Sequence, residues 1–110
     1  MFMLRVLLAL IWLSIAGYTA AVIANHGIGL FPIFLGDIAS IGWPGQFNFD
    51  FTCMLMLSGL WVAWRHRFSA AGLALGLAAF VGGAFFLSAY LLVVSVQTKG
   101  QIDELLMGRR

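Results

Sequence analysis

The sequence predicts an all-α integral membrane protein: a bundle of three transmembrane helices with a long outer loop between the first and second. Three observations carry that expectation. The chain of 110 residues is 63% hydrophobic and only 9% charged, outside the balance that keeps a globular domain soluble. Its mean hydropathy is +1.03. Its uncharged runs, separated by short polar or basic segments, have the length that a hydrocarbon core of about 30 Å demands of a helix. Residues 1–110 read as a single membrane domain, with no room for a separate soluble catalytic module.

The first transmembrane helix is expected at about 6–24, since no residue from Val6 to Ala24 is charged. A secretory signal would need Arg5 as its basic region and Thr19 with Ala21 as a cleavage site, but the apolar run outlasts a cleavable core. Residues 25–46 read as a loop, because Gly27, Gly29, Pro32, Gly36, Gly42, Pro44 and Gly45 interrupt any continuous helix. Within that loop Leu30 to Leu35 is too short to span and too apolar for water, which suits a re-entrant or interfacial turn with Trp43 at headgroup level. The second helix is placed at about 47–64, with Asn48 as N-cap and Asp50 in the first turn, where the helix dipole favours an anion. Arg65-His66-Arg67 stops it. The third helix, about 70–96, belongs to an uncharged run longer than a bilayer needs, so a tilt or a projection beyond the membrane is expected. In the polar tail 97–110, Ile102, Leu105 and Leu106 share one side of a helix and Asp103, Glu104, Arg109 and Arg110 the other, a pattern suited to the membrane surface.

Orientation follows from the basic residues. Arg5 precedes the first helix and Arg65 and Arg67 follow the second, while the first loop has neither Lys nor Arg. These segments face the cytoplasm, so the amino terminus is expected there. Three spans then put the tail outside, which sits less comfortably with its Lys99, Arg109 and Arg110, although Asp103 and Glu104 partly offset them. The net charge of +2 comes from scattered residues, and no Lys/Arg cluster tracks a phosphate backbone, so nucleic acid is excluded as a partner.

Few residues carry chemistry. Asp50 is the acid placed at membrane depth, where ionisable groups mark function by default. Antiparallel packing would bring Tyr18 and Tyr90 to its level, and His26 to the same side, forming a possible polar cluster for a headgroup or a proton. The bland alternative is interhelical hydrogen bonding. His66, between two arginines, reads as a solvated interfacial residue. Neither histidine sits mid-span as a haem ligand would, and no HxxxH or HxxE spacing occurs, so no metal and no cofactor is expected. Cys53, the single cysteine, reads as a small buried hydrophobe.

Packing signals are stronger. Gly72 and Gly76 form a small-xxx-small pair, Ala74, Ala78 and Gly82 recur every fourth residue, and Ala79 and Gly83 lie alongside. The first helix carries a matching row of Ala16, Ala20 and Ala24 with Gly17 beside it, so the first and third helices are expected to pack closely. Trp43, Trp61 and Trp64, with Arg65 and Arg67, fit the aromatic and basic belts of the two interfaces.

Phe49-Asp50-Phe51, then Leu60-Trp61-Val62-Ala63-Trp64-Arg65, then Gly83 and Tyr90 resemble a family of small bacterial three-helix integral membrane proteins of unknown function, over roughly residues 43–95. The resemblance implies that architecture and singles out Asp50 without implying a reaction. The leading functional expectation is a non-catalytic accessory or structural subunit packed against a larger inner-membrane assembly of respiratory or photosynthetic type. Its partners would be membrane lipid and other membrane subunits, or itself. The alternatives are a small membrane enzyme or a lipid- or isoprenoid-binding protein using Asp50 with Tyr90 and Tyr18, and, more weakly, a homo-oligomeric small transporter.

Overall fold

Apolar runs interrupted by glycine and by basic turns give five helices among the described residues. The computed structural model describes residues 1–108, and the helices are α1 (Phe2–His26), α2 (Leu30–Ala39), α3 (Trp43–Arg65), α4 (Ala70–Gln97) and α5 (Ile102–Met107). Arg109 and Arg110, expected on the polar side of the tail, lie outside the described residues. Two of the helices, α1 and α4, are long and apolar enough to cross a membrane by length and composition. α3 is nearly as long as α1, but Gln46, Asn48 and Asp50 make its first turns more polar.

The expected loop at 25–46 is largely helical. Gly27 ends α1 at φ 77, a backbone value that glycine adopts without steric cost. α2 then forms over the apolar Leu30–Ala39 stretch, with Pro32 in its first turn, where a missing N–H is harmless. Pro44 likewise starts α3 rather than breaking it. α3 therefore begins at Trp43, ahead of the expected residue 47, and Asn48 is interior to it. Instead of capping, the Asn48 side chain donates to the Phe34 carbonyl at 3.2 Å and ties α2 to α3. A Cβ at Gly45 would fall on the Asp37 carbonyl, so α2 and α3 meet backbone to backbone there.

The larger departure is in α4, which reverses direction at Gly83. Its φ of 59 and ψ of −144 are non-helical and lie in a region that essentially only glycine occupies. The reversal follows from the contacts on either side. Gly72 packs against the His66 side chain, and the Tyr90 hydroxyl lies 2.6 Å from His66 Nε2. In a straight helix residues 72 and 90 would be about 27 Å apart along the axis, so one histidine touches both only if the chain folds back. The arm 70–82 runs antiparallel to α3, with Gly76 against Gly59 and Gly83 against Phe51 and Leu55. The arm 84–97 runs antiparallel to α1, with Trp12 stacked on Phe85 at 5.1 Å and Arg5 bonded to Ser95.

The basic half of the molecule is thus a four-rod bundle of α1, α3 and the two arms of α4, closed at its end by α5. Its core is Val62, Ala79, Tyr90, Val94 and Leu105. In the opposite half the hairpin is absent and only α1, α2 and α3 remain. There α1 is exposed from Gly17 to His26, α2 has no buried residue, and Gly45 is the buried position at the start of α3.

This geometry changes the expected helix contacts. Gly72, Gly76, Ala79 and Gly83 are buried, but Gly72 and Gly76 pack on Gly59 and Ala63 of α3 rather than on α1. A Cβ at Gly76 would stand 2.7 Å from the Gly59 carbonyl oxygen, and one at Gly59 2.8 Å from that of Gly76. The second row is looser: Ala74 is exposed, and Ala78 and Gly82 are half-buried. On α1, Gly17, Ala20 and Ala24 are exposed and Ala16 half-buried. The anticipated seam between the two small-residue rows does not form, because the break at Gly83 presents 84–97 to α1 in place of 70–82.

Candidate functional site

The most developed polar constellation lies at the basic end, where α3 stops and α5 docks. Arg65, the last residue of α3, sends Nε to the Leu105 carbonyl at 2.7 Å and one terminal nitrogen to the Glu104 carbonyl at 3.0 Å. The Trp61 indole N–H donates to the Leu106 carbonyl at 3.1 Å. The last carbonyls of a helix lack intrahelical partners and carry partial negative charge, so a guanidinium and an indole are suitable caps for them. Arg65 also donates to the Tyr90 hydroxyl at 3.2 Å, with its guanidinium carbon 5.9 Å from the centre of that ring.

Tyr90 is buried and held by rings on several sides, edge-on to Trp61 at 6.2 Å and stacked on Phe86 at 5.9 Å. Its hydroxyl oxygen accepts from Arg65, which leaves its own hydrogen for His66 Nε2 at 2.6 Å. That direction requires an imidazole with a free lone pair at Nε2. Burial, and secondarily the Arg65 charge, pull the His66 pKa below its ordinary value, and both favour that neutral form. His66 is therefore a half-buried acceptor and not the solvated interfacial residue expected.

A second arginine acts in the same way nearby. Arg5 donates from Nε to Ser95 Oγ at 3.1 Å and from a terminal nitrogen to the Ser95 carbonyl at 2.9 Å, and Ser95 Oγ donates to the Leu92 carbonyl. It fastens the start of α1 to the last turns of α4. Ser95 is fully buried, so the acceptor side of this part-buried pair is shielded from solvent.

The proposed polar cluster is not assembled. Tyr90 is at the basic end, whereas Asp50 lies some four turns away along α3, about 22 Å at 1.5 Å per residue. Asp50 is exposed and lines an open groove of about 780 Å³ with Trp43, Gln46 and Cys53. Cys53 is itself exposed, against the expectation of burial. Tyr18 is 76% exposed on α1, and His26, at its far end, is exposed as well. Trp43 stands at one end of α3 and Trp61 and Trp64 at the other, with Arg65 and Arg67 beside the latter pair.

Chemically the basic-end knot is a fastener. It offers a phenol and an imidazole, but both are committed to each other and to Arg65. No group of three potential metal ligands occurs among the described residues. Sequence reasoning missed Arg5, Ser95, Gly59 and the capping role of Trp61, because each depends on which segment the α4 hairpin brings alongside. An apolar cleft of about 620 Å³ lies just past the hairpin tip, between Ala16, Thr19 and Ile23 of α1, Leu30 of α2 and Phe51 of α3. No family model, curated protein or solved structure matches the chain.

Proposed function

We propose that the protein is a non-catalytic accessory or structural subunit of a larger inner-membrane assembly in a bacterium, with its amino terminus in the cytoplasm. The observation that carries this reading is the division of the molecule into a closed half and an open one. In the closed half Arg5, Ser95, Trp61, Arg65, His66 and Tyr90 are committed to fastening α1, α3, α4 and α5 together. The open half exposes large apolar side chains, among them Phe31, Ile33, Leu35, Phe47 and Phe49, all at least 60% exposed. In lipid such a surface needs no cover, but it has room for a partner helix, since small side chains at Gly17, Ala20 and Ala24 permit close approach. The bacterial assignment rests on the family resemblance, and the cytoplasmic amino terminus on the clustering of basic residues. The enzyme alternative has less support, because Tyr90 stands apart from Asp50 and Tyr18.

Purification in a mild detergent followed by native mass measurement tests this proposal. The expected species is an assembly with other membrane subunits or with further copies of the chain. A monomer alone under every mild condition would overturn it.

A further inference from the structure

We infer that α4 does not cross the bilayer but forms a re-entrant hairpin, so that the amino-terminal residues and α5 meet the headgroups of the same, anionic leaflet. The inference rests on the membrane reading above and adds a topology that length and composition argue against, since α4 passes as a span by both.

Geometry is the first support. Each arm of α4 is about 20 Å long at 1.5 Å per residue, short of the roughly 30 Å core, whereas α1 at about 37 Å crosses it. The arms leave from and return to one end, where Arg65 holds Tyr90 and the α5 carbonyls together and Arg5 holds Ser95. Irregular backbone at membrane depth is tolerated where protein covers it. Gly83 meets that condition, being buried against Phe51 and Leu55.

Charge is the second and independent support. A straight α4 would carry Lys99 to the face opposite Arg5, Arg65 and Arg67. With the hairpin all four lie at one end, together with Asp103 and Glu104 of α5, and the other end, with Asp37 and Asp50, has neither Lys nor Arg; the bias is one of Lys and Arg, to which acids contribute little. That is the asymmetry expected when one face meets a cytoplasmic leaflet, where each nearby Lys or Arg is attracted to anionic lipid. The hydrogen bonds that fold the hairpin take no part in this argument.

Single cysteines in the full chain, on a Cys53→Ser background, test the topology with a membrane-impermeant maleimide applied to right-side-out and inverted vesicles. Phe2→Cys and Ile102→Cys are expected to label from the same side, Ile28→Cys and Ile41→Cys from the other, and Val81→Cys, near the hairpin tip, from neither. Labelling of Ile102→Cys together with Ile28→Cys would overturn the hairpin, as would labelling of Val81→Cys at the far face. A different result, Phe2→Cys and Ile28→Cys labelling from one side, would show that α1 does not span, and would sink the membrane reading itself.

Discussion

The two halves of this molecule use similar residues to different ends. Glycine and alanine recur every fourth residue both in α1 and in the first arm of α4, yet one row is largely exposed and the other packs backbone to backbone against α3. At Gly17 nothing lies within 4 Å of where a Cβ would stand, whereas at Gly76 a backbone carbonyl lies at 2.7 Å. What separates the two is the partner. In the basic half the hairpin supplies extra rods to pack against, and in the other half α1 faces open space past the tip. A small-residue row is therefore a capacity for close packing, and its use depends on what the chain delivers opposite it.

Breaking the hairpin should have the largest effect. Gly83→Ala forces a side chain into a conformation that costs roughly 1–3 kcal/mol, and its Cβ would stand only 3.2 Å from Phe51. The variant should lose the closed half of the fold, measured as a drop in thermal stability in detergent and as exposure of Tyr90. Relief of the break also frees α4 to straighten, so the Ile102→Cys reporter in this variant should label partly from the opposite face. An unchanged melting temperature would mean that the reversal is set elsewhere.

Next in size come the glycines at the α3–α4 crossing. Gly76→Leu and Gly59→Leu each drive a side chain into the opposing backbone, where no flexible group can give way, and overpacking of this kind costs about 1–3 kcal/mol or more. Both should lower the melting temperature of the chain without a partner present. Since they press on the same contact, the double variant should cost less than the sum of the two single ones.

These glycines also mark how far the sequence was legible. Membrane-compatible composition, the positions of the apolar runs and the Arg65-His66-Arg67 stop were all readable, because each is a local pattern; of the apolar side expected in the tail, only Leu105 is buried. The buried row Gly72, Gly76, Ala79 and Gly83 was readable as a packing face. Its partner was not, since Gly82-Gly83 reads equally well as part of a packing stripe and as a break. The excess length of the uncharged run was a hint: 70–97 is too long for one upright span and suits two shorter arms. Prolines misled in the other direction. Pro32 and Pro44 looked like breakers, but in a first helical turn they remove no hydrogen bond. The polar cluster failed for the same reason as the seam, because Tyr90 descends with the second arm instead of rising to the level of Asp50.

The tail clamp should be worth less than the glycine crossing. Arg65→Ala removes donors from the Leu105 and Glu104 carbonyls and from Tyr90, and at this partly exposed end water replaces much of what they supply, leaving about 1 kcal/mol in all. Release of α5 is expected, seen as protease access to residues 100–107 with the helical content of α1 and α3 retained. Arg65→Lys should rescue little, as an ammonium lacks the fork that spans two carbonyls and a hydroxyl. Tail residues as resistant to protease in Arg65→Ala as in the parent would sink the clamp.

A smaller effect should appear on acidification. The folded state lowers the His66 pKa, so the unfolded chain binds the proton more readily. The stability linked to His66 is complete above its ordinary value, about 6.5, and declines as the pH falls through that value toward the folded one. The melting temperature should drop between about pH 7 and pH 5, and His66→Gln, which keeps an acceptor for the Tyr90 hydroxyl, should flatten that dependence. An identical slope in parent and variant would remove His66 from the account.

The smallest expected change sharpens the comparison most, because it applies the same substitution to the other half with the opposite sign. Gly17 lies inside α1 with open space around it, so Gly17→Ala removes backbone freedom without a clash and should stabilise the isolated chain by about 0.5–1 kcal/mol. Gly76→Ala should instead destabilise it. If the open face of α1 receives a partner helix, the added methyl of Gly17→Ala should weaken that association, and Ala20→Leu should weaken it further while leaving the melting temperature of the free chain nearly unchanged. Native mass measurement of parent and variants reads the association and thermal unfolding in detergent reads the fold. A loss of association without a loss of fold assigns the open half to contact between subunits, whereas full retention of the assembly in Ala20→Leu would move the contact to α2 or the outer face of α3.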